Sequence, residues 1–150
     1  MKTTLLMILV CTLAVIPASA NSNAPVSQQL VTEARELKLV ADNLAAQLKS
    51  RGADVSAAES RLEQFTQRAS EISRLVAELE QSGLTLDARR QREFDRLKNL
   101  AETLNLFVDN KKELLANGNP TAQRLDIRAQ AVGVAIRADL IEKTVRKLGL

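Results

Sequence analysis

Val55-Ser56-Ala57-Ala58-Glu59-Ser60-Arg61-Leu62-Glu63-Gln64-Phe65-Thr66-Gln67-Arg68-Ala69-Ser70-Glu71-Ile72-Ser73-Arg74-Leu75-Val76-Ala77-Glu78-Leu79 is the stretch that decides the fold class. Val55, Ala58, Leu62, Phe65, Ala69, Ile72, Val76 and Leu79 recur at alternating steps of three and four. That spacing draws one apolar line along a helix for three heptads. Ser56 and Glu59 have the spacing of a capping box, which would start the helix, and Gly83 is placed to end it. The expected helix covers 54–82.

Working outward, the same periodicity appears in three further segments. Leu30, Ala34, Leu37, Ala41, Leu44 and Leu48 line one face of a helix over 25–50, with a seam that is partly alanine. Phe94, Leu97, Ala101, Leu104, Val108 and Leu115 line a helix over 85–117, with Thr85 as its expected N-cap. Lys111 interrupts that line, either as a register device or at the wet end of the fold. Leu86, Leu100, Phe107 and Leu114 form a second line beside it.

Asn119-Pro120 is a strong start signal for a last helix over 119–148. Its seam is Ile127, Ala131, Val134, Ala138, Ile141, Val145 and Leu148. Leu125, Ala129, Val132, Ile136 and Leu140 run alongside as a second seam, with Gly133 open to close approach by another backbone.

Four helices joined by short connections predict an all-α, antiparallel four-helix bundle with up-down-up-down connectivity. The competing architecture is a set of coiled-coil-like helical hairpins that complete their core by dimerising. The segment 54–82 carries six acids against three bases, and 119–150 six bases against three acids. Those two helices sit diagonally in a simple ring, so this asymmetry points to another topology, to a partner contact, or to two ordinary solvated faces.

Ahead of the helices, Met1-Lys2-Thr3-Thr4 precedes an uncharged run from Leu5 to Ile16, then Pro17 and Ala18-Ser19-Ala20. This is the layout of an export signal, with residues 1–20 cleaved after Ala20 and residues 21–150 forming a single helical domain. The run reaches roughly 18 Å as a helix, short of the ~30 Å of a bilayer core. Cys11, the one cysteine in the chain, lies inside that run and follows Val10, which does not suit a lipoprotein cleavage site. A mature chain without cysteine, and with Asn119-Pro120-Thr121 disqualified as a glycan acceptor, favours a bacterial periplasm over an extracellular destination.

Composition narrows the chemistry. With no histidine and no cysteine after residue 20, the commonest general bases, nucleophiles and metal ligands are missing, so no catalytic, cofactor-binding or metal-ligating residue is assigned. Haem and zinc are disfavoured on the same ground, and the turns Arg51-Gly52-Ala53-Asp54 and Asn117-Gly118-Asn119 are too sparse in acids for calcium. The net charge of +3 and the lack of Tyr and Trp give nothing on which nucleic-acid bases could stack. Arg89, Arg90, Arg92, Arg96 and Lys98 are interleaved with acids and suit solvent or an anionic surface such as lipid headgroups.

Leu84-Thr85-Leu86-Asp87-Ala88-Arg89-Arg90-Gln91 resembles the Leu-Thr-x-x-Gln motif of small helical periplasmic stress chaperones of the Spy and CpxP type, with Ala88 where that family has Gln. The resemblance implies a basic, concave helical surface that holds unfolded clients. The expectation from the whole chain is a noncatalytic exported helical protein that acts through protein contacts, as scaffold, adaptor or chaperone-like module, with a protein partner or self-association. The alternative is a carrier of lipid or another apolar ligand within the helices.

Overall fold

The computed structural model describes residues 23–51, 53 and 55–150; the expected export signal over 1–20 lies outside the described residues, as do Gly52 and Asp54. The described chain is all-helical: α1 Ala24–Gln47, α2 Ala58–Gln81, α3 Ala88–Val108, a single-turn-scale α4 Lys111–Ala116, and α5 Pro120–Leu148.

Each long helix buries its seam. Leu30, Leu37, Phe65, Ile72, Leu97, Leu104, Ile127 and Ile141 are among the side chains wholly withdrawn from solvent into one continuous core. α1 packs on α2 and α5, and α3 packs on α2 and α5, giving the cyclic order α1, α2, α3, α5. Every adjacent pair is antiparallel. Gln29 reaches Glu71 and Arg68 reaches Glu33 between α1 and α2, Lys98 reaches Glu80 between α2 and α3, and Ser27 reaches Leu150 while Arg124 reaches Leu48 between α1 and α5. The chain thus goes up, down, up and down.

This order places the acidic α2 and the basic α5 across the diagonal. No alternative topology brings the two together. The acids of α2 instead pair elsewhere: Glu80 with Lys98 of α3 and Glu63 with Lys111 of α4, while Glu71 and Glu78 share Arg74 within α2 itself. Lys111 is only partly exposed and holds the Glu63 carboxyl below the ordinary glutamate value, first by hydrogen bonding and then by its charge.

Besides α1 ending at Gln47 where the sequence reading ran to 50, three boundaries differ from that reading, each for a local reason. α2 starts at Ala58 with Ala57, not the expected Ser56, in the N-cap position. The preceding Ala53 and Val55 pack against the core in a non-helical path closed by Ala58 N–H donating to Val55 O. α3 starts at Ala88 and is capped by Asp87, not Thr85: the Asp87 carboxylate accepts from the Arg89 and Arg90 N–H groups. Leu84 and Leu86 both lean on the core from an extended segment, and that alternation requires the helix to begin after them. An aspartate also adds negative charge at the helix N-terminus, which a threonine does not.

The third difference is a break: one helix over 85–117 is in fact α3 and α4, interrupted at Asp109-Asn110. Gln130 of α5 accounts for it, its side-chain amide donating to Phe107 O and, at 2.9 Å, to Asn110 Oδ1. A carbonyl and an asparagine so engaged favour a turn over continued helix. At the far end of the connection the expected start holds: Asn119 Oδ1 accepts from Thr121 and Ala122 N–H ahead of Pro120. Gly83 (φ +71°) and Gly149 (φ +62°) close α2 and α5 in the left-handed region where a side chain is strained.

Candidate functional site: the outer face of α5

α5 is the longest helix, and two of its sides are apolar. Ile127, Ala131, Val134, Ala138, Ile141, Val145 and Leu148 face the core. At about 100° per residue, Leu125, Ala129, Val132 and Ile136 fall on the opposite side, pointing away from every other helix. Leu125, Val132 and Ile136 remain 48%, 43% and 56% exposed, and Leu140 continues the line half-buried. The second seam read from the sequence is therefore real, and none of the described residues covers it. The exposed Leu39 of α1 and Leu106 of α3 are single residues with charged or polar neighbours, of the kind common on protein surfaces.

The edges of this stripe are fixed in place. On the α3 side, the Phe107 ring lies against Gly133, where an added Cβ would come within 2.5 Å of the ring, and the Arg137 guanidinium stacks 3.8 Å from the ring centroid while donating to Gly133 O. The sequence reading expected Gly133 to admit a backbone; it admits an aromatic ring. On the α1 side, Arg35 of α1 and Arg146 both bind Glu142, at 2.8 and 3.0 Å.

Burial tends to raise the Glu142 carboxyl, but the hydrogen bonds from Arg146 and Arg35 outweigh it and hold the group below its ordinary value. A depressed folded value means a stabilising contribution that is present above the unfolded carboxylate value of about 4.3 and lost as pH falls through the folded one. Glu142→Gln is expected to flatten the fall in thermal midpoint below about pH 4.3 relative to the unaltered protein, in a pH series of melting curves. An unchanged acid limb would remove Glu142 from this role.

Three buried polar residues of α5, Arg124, Gln130 and Thr144, were not singled out from the sequence, and Thr144 only turns its hydroxyl back onto Leu140 O of its own helix. Arg124 donates to Leu48 O at 2.8 Å and ties the end of α1 to the start of α5, while Gln130 makes the contacts described above. Arg124 carries a signal in retrospect, since it extends the seam of Ala131 and Ile127 by one more step of three.

A surface groove of about 430 Å³ lies between the start of α1 and the end of α5 and is lined by residues including Ser27, Val31, Arg35, Val145 and Arg146. Leu84 and Leu86 of the chaperone-like motif lie against the core, and Arg89 and Arg90 are exposed beside them. Among the described residues no group of three or more His, Cys, Asp or Glu side chains is disposed to hold a metal ion, and no helix is long and apolar enough to cross a membrane. Compared with family models, with curated proteins and with solved structures, the chain matches none. Fold and site define an all-helical protein whose most distinctive surface is an uncovered apolar helix face.

Proposed function

We propose that this is a noncatalytic exported protein that acts through protein–protein contacts, as scaffold, adaptor or chaperone-like module, and that the outer face of α5 is its contact surface. The observation that carries the reading is the line Leu125, Ala129, Val132 and Ile136, opposite a core that α5 already completes with its other face. Keeping several large apolar groups in one line in water lowers solubility without adding to the core, and such patches mark interaction sites. A helix presenting anchors at steps of three and four fits an apolar groove or a second helix. Residues 1–20 act as the cleaved export signal in this reading, supported by the charged start, apolar run and small residues before Asn21. The destination is the periplasm.

Ile136→Glu is expected to leave helicity and thermal midpoint unchanged while removing the protein that copurifies with the unaltered chain. Retention of that partner by a folded Ile136→Glu protein would refute the assignment of the surface. The lipid-carrier alternative draws on the same stripe and on the alanines of α1; the burial of Ala34 and Ala41 in the core supports the contact reading over it. Organic extraction followed by mass spectrometry is expected to find no stoichiometric lipid.

A further inference from the structure

Resting on the reading of the α5 outer face as a contact surface, we infer that its partner is a second copy of the same helix, laid antiparallel across it. The stripe is self-complementary. Leu125 and Leu140 lie equally far on either side of the point between Val132 and Gly133, as do Ala129 and Ile136, with Val132 next to that point. Two antiparallel copies centred between Val132 and Gly133 bring Leu125 level with Leu140, Ala129 level with Ile136, and Val132 beside its own copy. Large side chains thus meet large ones at the ends, and Ala129 leaves room for Ile136 of the other copy.

Charge follows the same symmetry. A two-fold axis across an antiparallel pair sets equal flanks against each other, so whatever lines one flank must attract its own reversed copy. Arg128 and Asp139 lie on the same flank, the one nearer α1, and in this register each comes level with the other to within two residues, roughly 3 Å of rise. The two-fold produces that Arg–Asp pair twice. Arg128 makes no ion pair among the described residues, and its Nε is buried without a hydrogen-bond partner. Among the described residues Asp139 makes its ion pair with the exposed Lys143, at 2.7 Å on the same helix, with the Lys38 charge of α1 farther off. The contact covers a strip of about 22 Å by 10 Å, smaller than the ~800 Å² per partner of a standard interface, so the pairing is reversible and dependent on concentration.

The test is the molar mass of the purified protein by light scattering and sedimentation, from about 1 µM to 1 mM, the range suited to a weak contact. The expected result is a rise from one chain mass towards two. Val132→Asp and Ile136→Asp, both on exposed positions, are expected to weaken association by at least ~10-fold, since each substitution acts twice across the axis. Arg128→Asp and Asp139→Arg are each expected to weaken it, and the two together to restore it to within ~3-fold, because the swapped charges meet in the same register. A monomer throughout the range, or a dimer indifferent to these substitutions, would overturn the inference. If that monomer still loses another copurifying protein through Ile136→Glu, the self-pairing fails while the contact-surface reading stands.

Discussion

Phe65→Ala is expected to lower the unfolding free energy by about 3–5 kcal/mol, the range for an aromatic side chain deleted from a close-packed interior. Phe65 is wholly buried in the first half of α2, in a core of Leu, Ile, Val and Ala that also holds Phe94. A close-packed interior refills such a space only in part. The transfer and cavity terms therefore add with little relaxation. Against the 5–15 kcal/mol typical of a whole domain, this is a large share of the stability, equivalent to a fall in melting midpoint on the order of 10–20 °C. Denaturant titration followed by circular dichroism measures it, with Phe65→Leu as the smaller step. A loss below about 1 kcal/mol would mean that α2 is not packed at this point as described.

Ala138→Leu is expected to cost about 1–3 kcal/mol by overpacking. α1 and α5 form the most extensive helix pair, and Ala34, Ala41, Ala131 and Ala138 are all fully buried. The contacts Ser27 to Leu150 and Arg124 to Leu48 set the register of the pair and place Ala34 near the height of Ala138, and Ala41 near that of Ala131. Small side chains at matching heights let the two helices come close, and a leucine there forces them apart or strains its rotamer. Leucine and alanine are both among the best helix formers, so the measured loss is a packing effect. The experiment also separates the two functional readings. Alanines lining space for an apolar ligand would accept a leucine without loss or with a gain in stability, as cavity-filling substitutions do.

The seams were legible because burial on one side of a helix forces a period near 3.6 residues, and Leu30 through Leu48, Ala58 through Leu79 and Ile127 through Leu148 all obey it. Helix starts were less legible, since several residue types can cap and tertiary packing chooses among them. Asp87 displaces Thr85 because Leu84 and Leu86 need an extended path onto the core, and Ala57 takes the position expected of Ser56 after Ala53 and Val55 lean inward. The break after Val108 depends on Gln130, a residue twenty-two positions away in sequence, and no local pattern reports such a partner. Lys111 did mark the place, its charge falling where the apolar line should have continued.

The candidate surface was half legible. Leu125, Ala129, Val132, Ile136 and Leu140 stood out as a second seam, but periodicity alone cannot distinguish a helix buried on two sides from one that keeps a side uncovered. That distinction comes from the cyclic order of the helices, which encloses one seam of α5 and leaves the other outside. The charge asymmetry between 54–82 and 119–150 does not bring those two helices together, for a related reason. Net charge is summed over a whole helix, whereas pairing is decided face by face, as Lys98 with Glu80 and Arg35 with Glu142 illustrate.

The most direct test of the contact-surface account is photo-crosslinking in living cells, with a photoreactive amino acid placed in turn at Val132, Ile136, Leu39 and Leu106. All four positions are exposed, and only the first two lie on the α5 stripe. Discrete protein adducts at Val132 and Ile136, with none at Leu39 and Leu106, are the predicted result. Adducts of equal yield at all four positions, or none at Val132 and Ile136, would contradict the claim that this protein works through the outer face of its last helix.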